Sequence, residues 1–486
     1  MAKPRRRSQI AGMVSPANDV IGALNPIIDS YDGGDNNTNI AQVVDTEANF
    51  DLDPDKLMAD GRIGSKKMAI FGLIGSGKTL LAKMIAYRLA RNSSGGRRGR
   101  IEADDMNRRN GVPEYASLAS ELGCQPLSAQ EPLNAYDLEF NLTFADHLDT
   151  SREFFVQAND GLNPIGNQEY ILEVALSKMY REYQEIASLD TLEWLTGRLV
   201  EQDFKTYRAI NDSSFRGRIN LDEHSEVAKR VDALMNREPI QFIGDLLRDA
   251  TFVNQRLNRL LFGDFGKQFG GTNSTSKKLQ QQVVVKDYTG LNDATINLKQ
   301  SFFWRLKRRA IANTDRRFMV QVSIHDENYK LWRVSPDVYG VNMSDDMKQQ
   351  RNSDELKIIL SHRKRDYNSA GNQGSRGESL ATNMFSDIDM FAIGAQRKRD
   401  IKDLREIFDI TKPEAERIRA QRVGEFAFKI GEEAMVFVTT TPSITPTIAR
   451  IGRSNAALEQ ALDRRKIVFE GFVSSTPKSI EPKELE

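Results

Sequence analysis

The stretch FGLIGSGKTLL, Phe71 to Leu81, decides the fold. It contains the spacing G-x-x-x-x-G-K-T, from Gly72 to Thr79. The apolar run KMAIF over 67–71 precedes it and reads as a short strand. Behind it, TLLAKMIAYRLAR carries Leu80, Leu81, Met84, Ile85 and Leu89 at helical spacing. Strand, glycine loop and helix, in that order, are the context this motif requires. The glycines let the backbone curl so that several N–H groups converge on one phosphate. The helix turns its positive end to the same place. Gly72, Gly75, Ser76, Gly77, Lys78, Thr79 and Leu80 are therefore the candidate nucleotide-binding residues. Lys78 is expected to reach the β- and γ-phosphates of ATP, and Thr79 to hold Mg²⁺ through its hydroxyl.

A phosphate loop that hydrolyses also needs an acid on a neighbouring strand for the metal shell, and a base to polarise water. FMVQVSIHDE supplies both: Asp326 for the metal and Glu327 for the water, at a strand's C-terminal end, where open α/β sheets collect ligands. Asp104, Asp105 and Asp287 each end another predicted strand and compete for the metal role. This strand is unusual. Gln321, Ser323 and His325 alternate with apolar residues, whereas a central parallel strand is normally apolar on both faces. Ser361, His362 and Gln396 lie at later strand ends and are candidate phosphate sensors. Arg363, Arg365, Arg397 and Arg399 follow those ends. An arginine supplied across a subunit interface is a common way to stabilise transition-state charge, and Arg363 is the first candidate.

The chain has 486 residues, with 68 basic and 68 acidic side chains, so nothing global draws it to polyanions. Cys124 is the single cysteine, which excludes an intramolecular disulfide and an all-cysteine metal site. The four histidines, at 147, 224, 325 and 362, are scattered. No apolar run approaches the roughly 20 residues that span a bilayer. A cytosolic compartment fits. The basic start, with Lys3 and Arg5 to Arg7, reads as a solvated tail.

The pattern divides the chain into a loose tail over 1–45, a phosphate-loop segment over 46–149, a helical insertion over 150–263, the returning α/β segment over 264–442 and a C-terminal tail over 443–486. In the first α/β segment, GRIEADD is a second strand, and VPEYASLASELG is a short helix capped at Gly123. The insertion holds helical patterns such as EYILEVALSKMYREYQEIA and EVAKRVDALM. Strands then alternate with helices through QQVVVKDYTGL, FMVQVSIHDE, ELKIILSHR and MFAIGAQ. That alternation predicts a mostly parallel sheet. GEFAFKIGEEAMVFVTTTP reads as a hairpin turning at Gly431.

Several stretches taken in order resemble one family. They are LIGSGKTLLAKMIAYRL, NRRNGVPEYASLASELG, EPLNAYD, FGDFGKQFGG, QQVVVKDYTGL, SIHDENYKLW, ILSHRKRDYNSAGNQG and LREIFDITKPEAERIRAQRVGEFAFKIGEEAMVFV. The set looks like the motor core of conjugative type IV secretion ATPases, of the TraC or VirB-four type within the HerA/FtsK superfamily. The resemblance covers about residues 50–442 and is nearest to stand-alone actinobacterial versions. It implies a RecA-like P-loop fold with an inserted all-helical domain, a hexamer as working form, and membrane-embedded secretion components as partners. It matches Gly72, Gly75, Gly77, Lys78 and Thr79 to the phosphate loop, and Asp326 with Glu327 to the acid pair. It matches Gln396 to a glutamine after the late strand, and Ser361, His362 and Arg363 to the turn before it. His325 departs from the family's apolar residue before the acids. The long N-terminal docking domain of many members is not seen ahead of the motor.

The function expected is an ATP-hydrolysing ring that powers conjugative secretion at the cytoplasmic membrane face. A DNA-pumping motor of the same superfamily is the alternative, which makes DNA a candidate partner. A nucleotide-binding scaffold with little hydrolysis is the second alternative.

Overall fold

The computed structural model describes residues 38–92, 99–109, 111–129, 131–136, 143–159, 162–182, 187–211, 240–270, 276–312, 320–334, 339–349, 355–363, 366–367 and 384–452. In chain order the elements that build the site and its support are β1 (Asn39–Val43), β2 (Asn49–Asp51), β3 (Lys67–Phe71), α1 (Lys78–Asn92), β4 (Ile101–Asp105) and α2 (Ala116–Glu121). Four helices follow: α3 (Phe144–Ala158), α4 (Asn167–Glu182), α5 (Leu189–Asn211) and α6 (Ile240–Phe262). Then come β5 (Val283–Asp287), α7 (Asp293–Ala312), β6 (Val322–Asp326), β7 (Leu356–Ser361), β8 (Met390–Ile393) and α8 (Lys398–Phe408). The chain closes with β9 (Glu425–Ile430), β10 (Val436–Thr439) and α9 (Pro446–Gly452).

The ten strands form one sheet in the order β2-β1-β10-β9-β8-β3-β7-β6-β4-β5. The run from β8 to β5 is parallel throughout. The remaining strands are antiparallel. The fold is therefore mixed α/β with a large sheet core and a helical region between β4 and β5. The loop-bearing strand β3 has β7 beside it, and β7 in turn pairs with β6. Phe71 pairs with Ser361, and Asp326 with Leu360, so the C-terminal ends of all three strands lie at one edge.

Alternation along the strands sorts two cores. Met68, Ile70, Ile101, Ala103, Val322, Ile324, Ile358 and Leu360 pack with Leu81, Met84 and Ile85 of α1. Ala69, Phe71, Val284, Ile359, Phe391 and Ile393 face the other side. There they share one apolar cluster with α7, α8 and the helices α3 to α6. The helical insertion thus packs into the sheet's own core. Each large apolar side chain buried in this way contributes about 1.5–3 kcal/mol.

The polar residues of β6 are explained on that second face. Ser323 and His325 stand beside Glu102, Asp104 and Lys357 on the adjoining strands. His325 Nδ1 lies 2.7 Å from Asp104 Oδ2, and Lys286 pairs with Glu102 at 2.6 Å. Lys357, fully buried, meets Asp346 at 2.7 Å and Glu355 at 2.8 Å. Lys307 of α7 reaches the same two acids. A patch of paired charges under α7 thus replaces the apolar surface normal for a central strand.

The structure departs from the sequence reading at both ends. Residues 39–43, inside the stretch read as a loose tail, form β1 between β2 and β10. Ile40, Ala41 and Val43 are buried, and the pairing covers what would be an open edge at β10. Residues 446–452, inside the stretch read as a C-terminal tail, form α9. It packs on α1 and α2, where Lys83 Nζ and Ser117 Oγ both donate to Ile451 O. The basic start of the chain and EVAKRVDALM lie outside the described residues. The hairpin of β9 and β10 follows the expectation, and Gly431 turns with a φ of 52°.

Candidate functional site

Residues 72–77 connect β3 to α1 at the sheet edge. Gly75 and Gly77 have φ angles of 80° and 99°, a region that side chains disfavour. A Cβ on Gly72 would lie 2.5 Å from Ser76 Oγ and 3.3 Å from Lys78 Cγ, so a side chain there would push on both. Neighbouring elements pin it. Leu73 N–H donates to Ala395 O at 3.0 Å, and Gly424 N–H donates to Ser76 O at 3.1 Å. Ser76 Oγ is buried and makes no hydrogen bond. The side chain of Leu80 lies against α9, so close to Gly452 that a Cβ there would be 2.6 Å away.

Lys78 points back over the loop. Its Nζ donates to Gly72 O at 2.8 Å and Leu73 O at 3.1 Å, and lies 3.0 Å from His362 Nδ1. Burial lowers its pKa, opposed by the charges of Asp326 and Glu327. Thr79 Oγ1 donates to Asp326 Oδ2 across 3.5 Å. Tyr115 OH donates to the same oxygen at 2.9 Å. Burial, with Glu114 and Glu327 nearby, raises the Asp326 pKa to about 6.

Glu327 follows at the end of β6 with a φ of 47°, a strained value for a non-glycine residue. Its Oε1 accepts from His362 Nε2 at 2.9 Å, and Lys330 pairs with its other oxygen. Burial pushes this carboxyl up. Hydrogen bonds from His362 and Lys330 overcome that and hold it at about 2.

The competing acids have other partners. Asp104 is on the opposite face, bonded to His325. Asp105 accepts from the backbone N–H groups of Asn107 and Tyr115, and burial raises it to about 7. Asp287 pairs with Arg108 at 2.6 Å. Among the described residues it is Asp326 that reaches the loop.

Gln396 is buried, and its Nε2 donates to His362 O at 3.3 Å. Ser361 Oγ donates to Arg363 O at 3.0 Å, which shapes the turn. Arg363 lies 3.6 Å from Asp400, as does Arg399. Arg397 is exposed, and Arg365 lies outside the described residues. Sequence reading did not single out Tyr115, Lys330 or Gly424. Tyr115 sits in a short helical pattern with nothing to mark it, and Gly424 precedes a strand some 350 residues from the loop it touches.

The donors fit a polyphosphate with a hard divalent cation. A lysine, a buried unpartnered hydroxyl and three glycines lie in one short segment between β3 and the start of α1, with Thr79 next in sequence and Asp326 beside it. Among the described residues no group of three or more His, Cys, Asp or Glu side chains could hold a metal. A cation here would draw its remaining ligands from phosphate and water, as Mg²⁺ does. No described helix is long and apolar enough to cross a membrane.

No family model matches the chain, and no curated protein matches it. Solved structures do. The structure of VirB4 of Thermoanaerobacter pseudethanolicus aligns with a TM-score of 0.50 at 16% identity, over 85% of this chain and 97% of that one. The fold is thus similar to that of VirB4. The unbound bacterial conjugative coupling protein TrwB aligns with a TM-score of 0.43 at 11% identity, over 86% of this chain and 91% of that one. TrwB in complex with a non-hydrolysable GTP analogue scores 0.43 at 11% identity, over 86% and 92%.

Proposed function

We propose that this chain is a RecA-like P-loop ATPase, a motor that powers conjugative type IV secretion and DNA transfer as a homo-oligomeric, hexameric ring at the cytoplasmic face of the membrane. The observation that carries the reading is the approach of Thr79 to Asp326, at 3.5 Å, with Lys78 and Glu327 bridged beside them by His362. The likeness to the VirB4 fold supports the secretion assignment. Membrane-embedded secretion components are the proposed partners, with DNA the further candidate.

In this reading ATP and Mg²⁺ are the cofactors. The glycine loop and Lys78 hold the phosphates by backbone N–H groups and charge. Thr79 and Asp326 hold the metal, which when bound offsets phosphate charge. Glu327 orients the attacking water and takes its proton. Gln396 fixes the turn that carries His362, and Arg363 supplies positive charge across the ring interface. Catalysis is then positional and electrostatic.

Glu327→Gln tests the reading. Turnover should fall by roughly 10²–10⁴, the usual worth of a general base, while ATP binding survives. A wild-type protein that binds ATP without hydrolysing it, with Glu327→Gln indistinguishable from it, would return the scaffold reading.

A further inference from the structure

Lys78 Nζ lies 3.0 Å from His362 Nδ1, and His362 Nε2 lies 2.9 Å from Glu327 Oε1. A charged ammonium donates, so Nδ1 accepts. The ring's single proton then sits on Nε2 and is donated to the carboxylate. One neutral imidazole thereby joins the lysine of the glycine loop to the glutamate at the end of β6.

The bridge is held on both sides. Gln396 Nε2 donates to the His362 carbonyl at 3.3 Å, and Asp366 accepts from Arg363 N at 3.0 Å in the same turn. Lys78 gives its other two protons to Gly72 O at 2.8 Å and Leu73 O at 3.1 Å. All three ammonium protons are therefore spent inside the protein. No anion can take one until a partner lets go. The two carbonyls belong to a loop pinned by Ala395 and Gly424, whereas the imidazole swings about side-chain torsions. It is the partner released at least cost.

We propose that His362 is a positioning residue that locks the site in a resting form, and that a phosphate arriving at Lys78 displaces it and frees Glu327 to aim water. This rests on the ATPase reading given above and adds regulation to it. The lock ties occupancy of Lys78 to the orientation of Glu327, so the glutamate is released only when a phosphate is present.

The test compares His362→Ala with His362→Gln, using a fluorescent non-hydrolysable ATP analogue for affinity and steady-state turnover for kcat/KM. Glutamine carries an acceptor and a donor at similar reach and can restore the bridge. His362→Ala should bind the analogue roughly 10- to 150-fold more tightly, the worth of one charge-assisted hydrogen bond no longer broken on binding. Its kcat/KM should rise by about the same factor, because no bridge has to be broken before Glu327 is free. His362→Gln should stay close to the unmodified protein on both. A purely structural role weakens binding and turnover together. Loss of the lock improves both.

Unchanged or weaker binding by His362→Ala, or a kcat/KM that does not rise, overturns the lock. Histidine ¹⁵N spectra of the unmodified protein give a test free of folding effects. The His362 Nδ1 resonance should shift when the analogue is added, and a fixed resonance in the bound protein also overturns the lock. If the unmodified protein binds no analogue at all, the ATPase reading fails, and the lock with it.

Discussion

Tyr115 donates its phenolic proton to Asp326 across 2.9 Å, and its backbone N–H donates to Asp105 at 3.1 Å. One residue from the start of α2 thus serves two buried acids on neighbouring strands. Both acids are raised by burial, Asp105 to about 7 and Asp326 to about 6. The bond from Tyr115 lowers the Asp326 value.

Tyr115→Phe should therefore raise the Asp326 pKa further. The proposed metal role needs the carboxylate, so activity is lost as pH falls through about 6. In kcat/KM profiles the acid limb should move up by about 0.5–1 unit, with the alkaline plateau within roughly threefold. Stability carries the opposite sign. A carboxyl raised in the folded state contributes stability that is full below its unfolded value of 3.8 and is lost as pH rises through about 6. Tyr115→Phe removes a bond to the anion, so thermal melting should show a larger loss at pH 8 than at pH 5. Equal losses at both would remove Asp326 as the responsible group.

Gly424 is held at a φ of 84°, and a Cβ there would sit 3.0 Å from Thr440 Oγ1. Its N–H is one of the bonds that pin the glycine loop. Gly424→Ala should cost about 1–2 kcal/mol through the left-handed backbone alone. Melting should fall by a few degrees. ATP affinity should fall as well, because relief of the strained backbone shifts the N–H that anchors Ser76. Affinity unchanged in a destabilised variant would show that the anchor is not used in binding.

The elements around the glycine loop were legible because their signals are local. KMAIF is a five-residue strand with four apolar residues in a row, and α1 follows it with Leu81, Met84 and Ile85 on one face. Asp326 and Glu327 were legible as acids ending a β-rich run. Choosing between Asp326 and Asp104, Asp105 or Asp287 was not, since that depends on which strand neighbours β7 and which face each acid takes. β1 was obscured by the Asn- and Gly-rich residues before it, although Ile40, Ala41 and Val43 are buried. The polar side chains of β6 looked anomalous because their partners, Asp104 and Lys357, are distant in sequence and adjacent only in the sheet. Tyr115 has no sequence signal, because its role arises from the meeting of α2 with two strand ends.

Glu355 sits among Lys307 and Lys357 under α7, on the face of the sheet away from Thr79 and Asp326. Burial opposes its ionisation, and the two lysines outweigh that and lower its pKa. Removing one member of a buried ion network leaves uncompensated charge, so Glu355→Ala should destabilise by about 3–5 kcal/mol. Analogue affinity per folded molecule should not change. Chemical denaturation beside a binding titration separates the two. A loss of affinity larger than the loss of folded protein would link this network to the site.

The proposed ring makes a prediction for Arg363. Within its own chain the guanidinium is 3.6 Å from Asp400 on α8, and about a third of the side chain is exposed. If it acts on a neighbour's phosphates, Arg363→Ala and Lys78→Ala should each abolish turnover alone. An arginine acting on transition-state charge is worth roughly 10³–10⁵ in rate. Mixed rings create an interface where an intact Lys78 from one variant faces an intact Arg363 from the other. Mixing the two inactive proteins, then titrating their ratio, should restore turnover with a maximum near equal amounts. An arginine acting within its own subunit leaves every site in the mixture defective, and the mixture stays inactive. Repeating the titration with Arg397→Ala and Arg399→Ala in place of Arg363→Ala identifies the donor, because recovery on mixing requires a residue that is both essential and supplied across the interface.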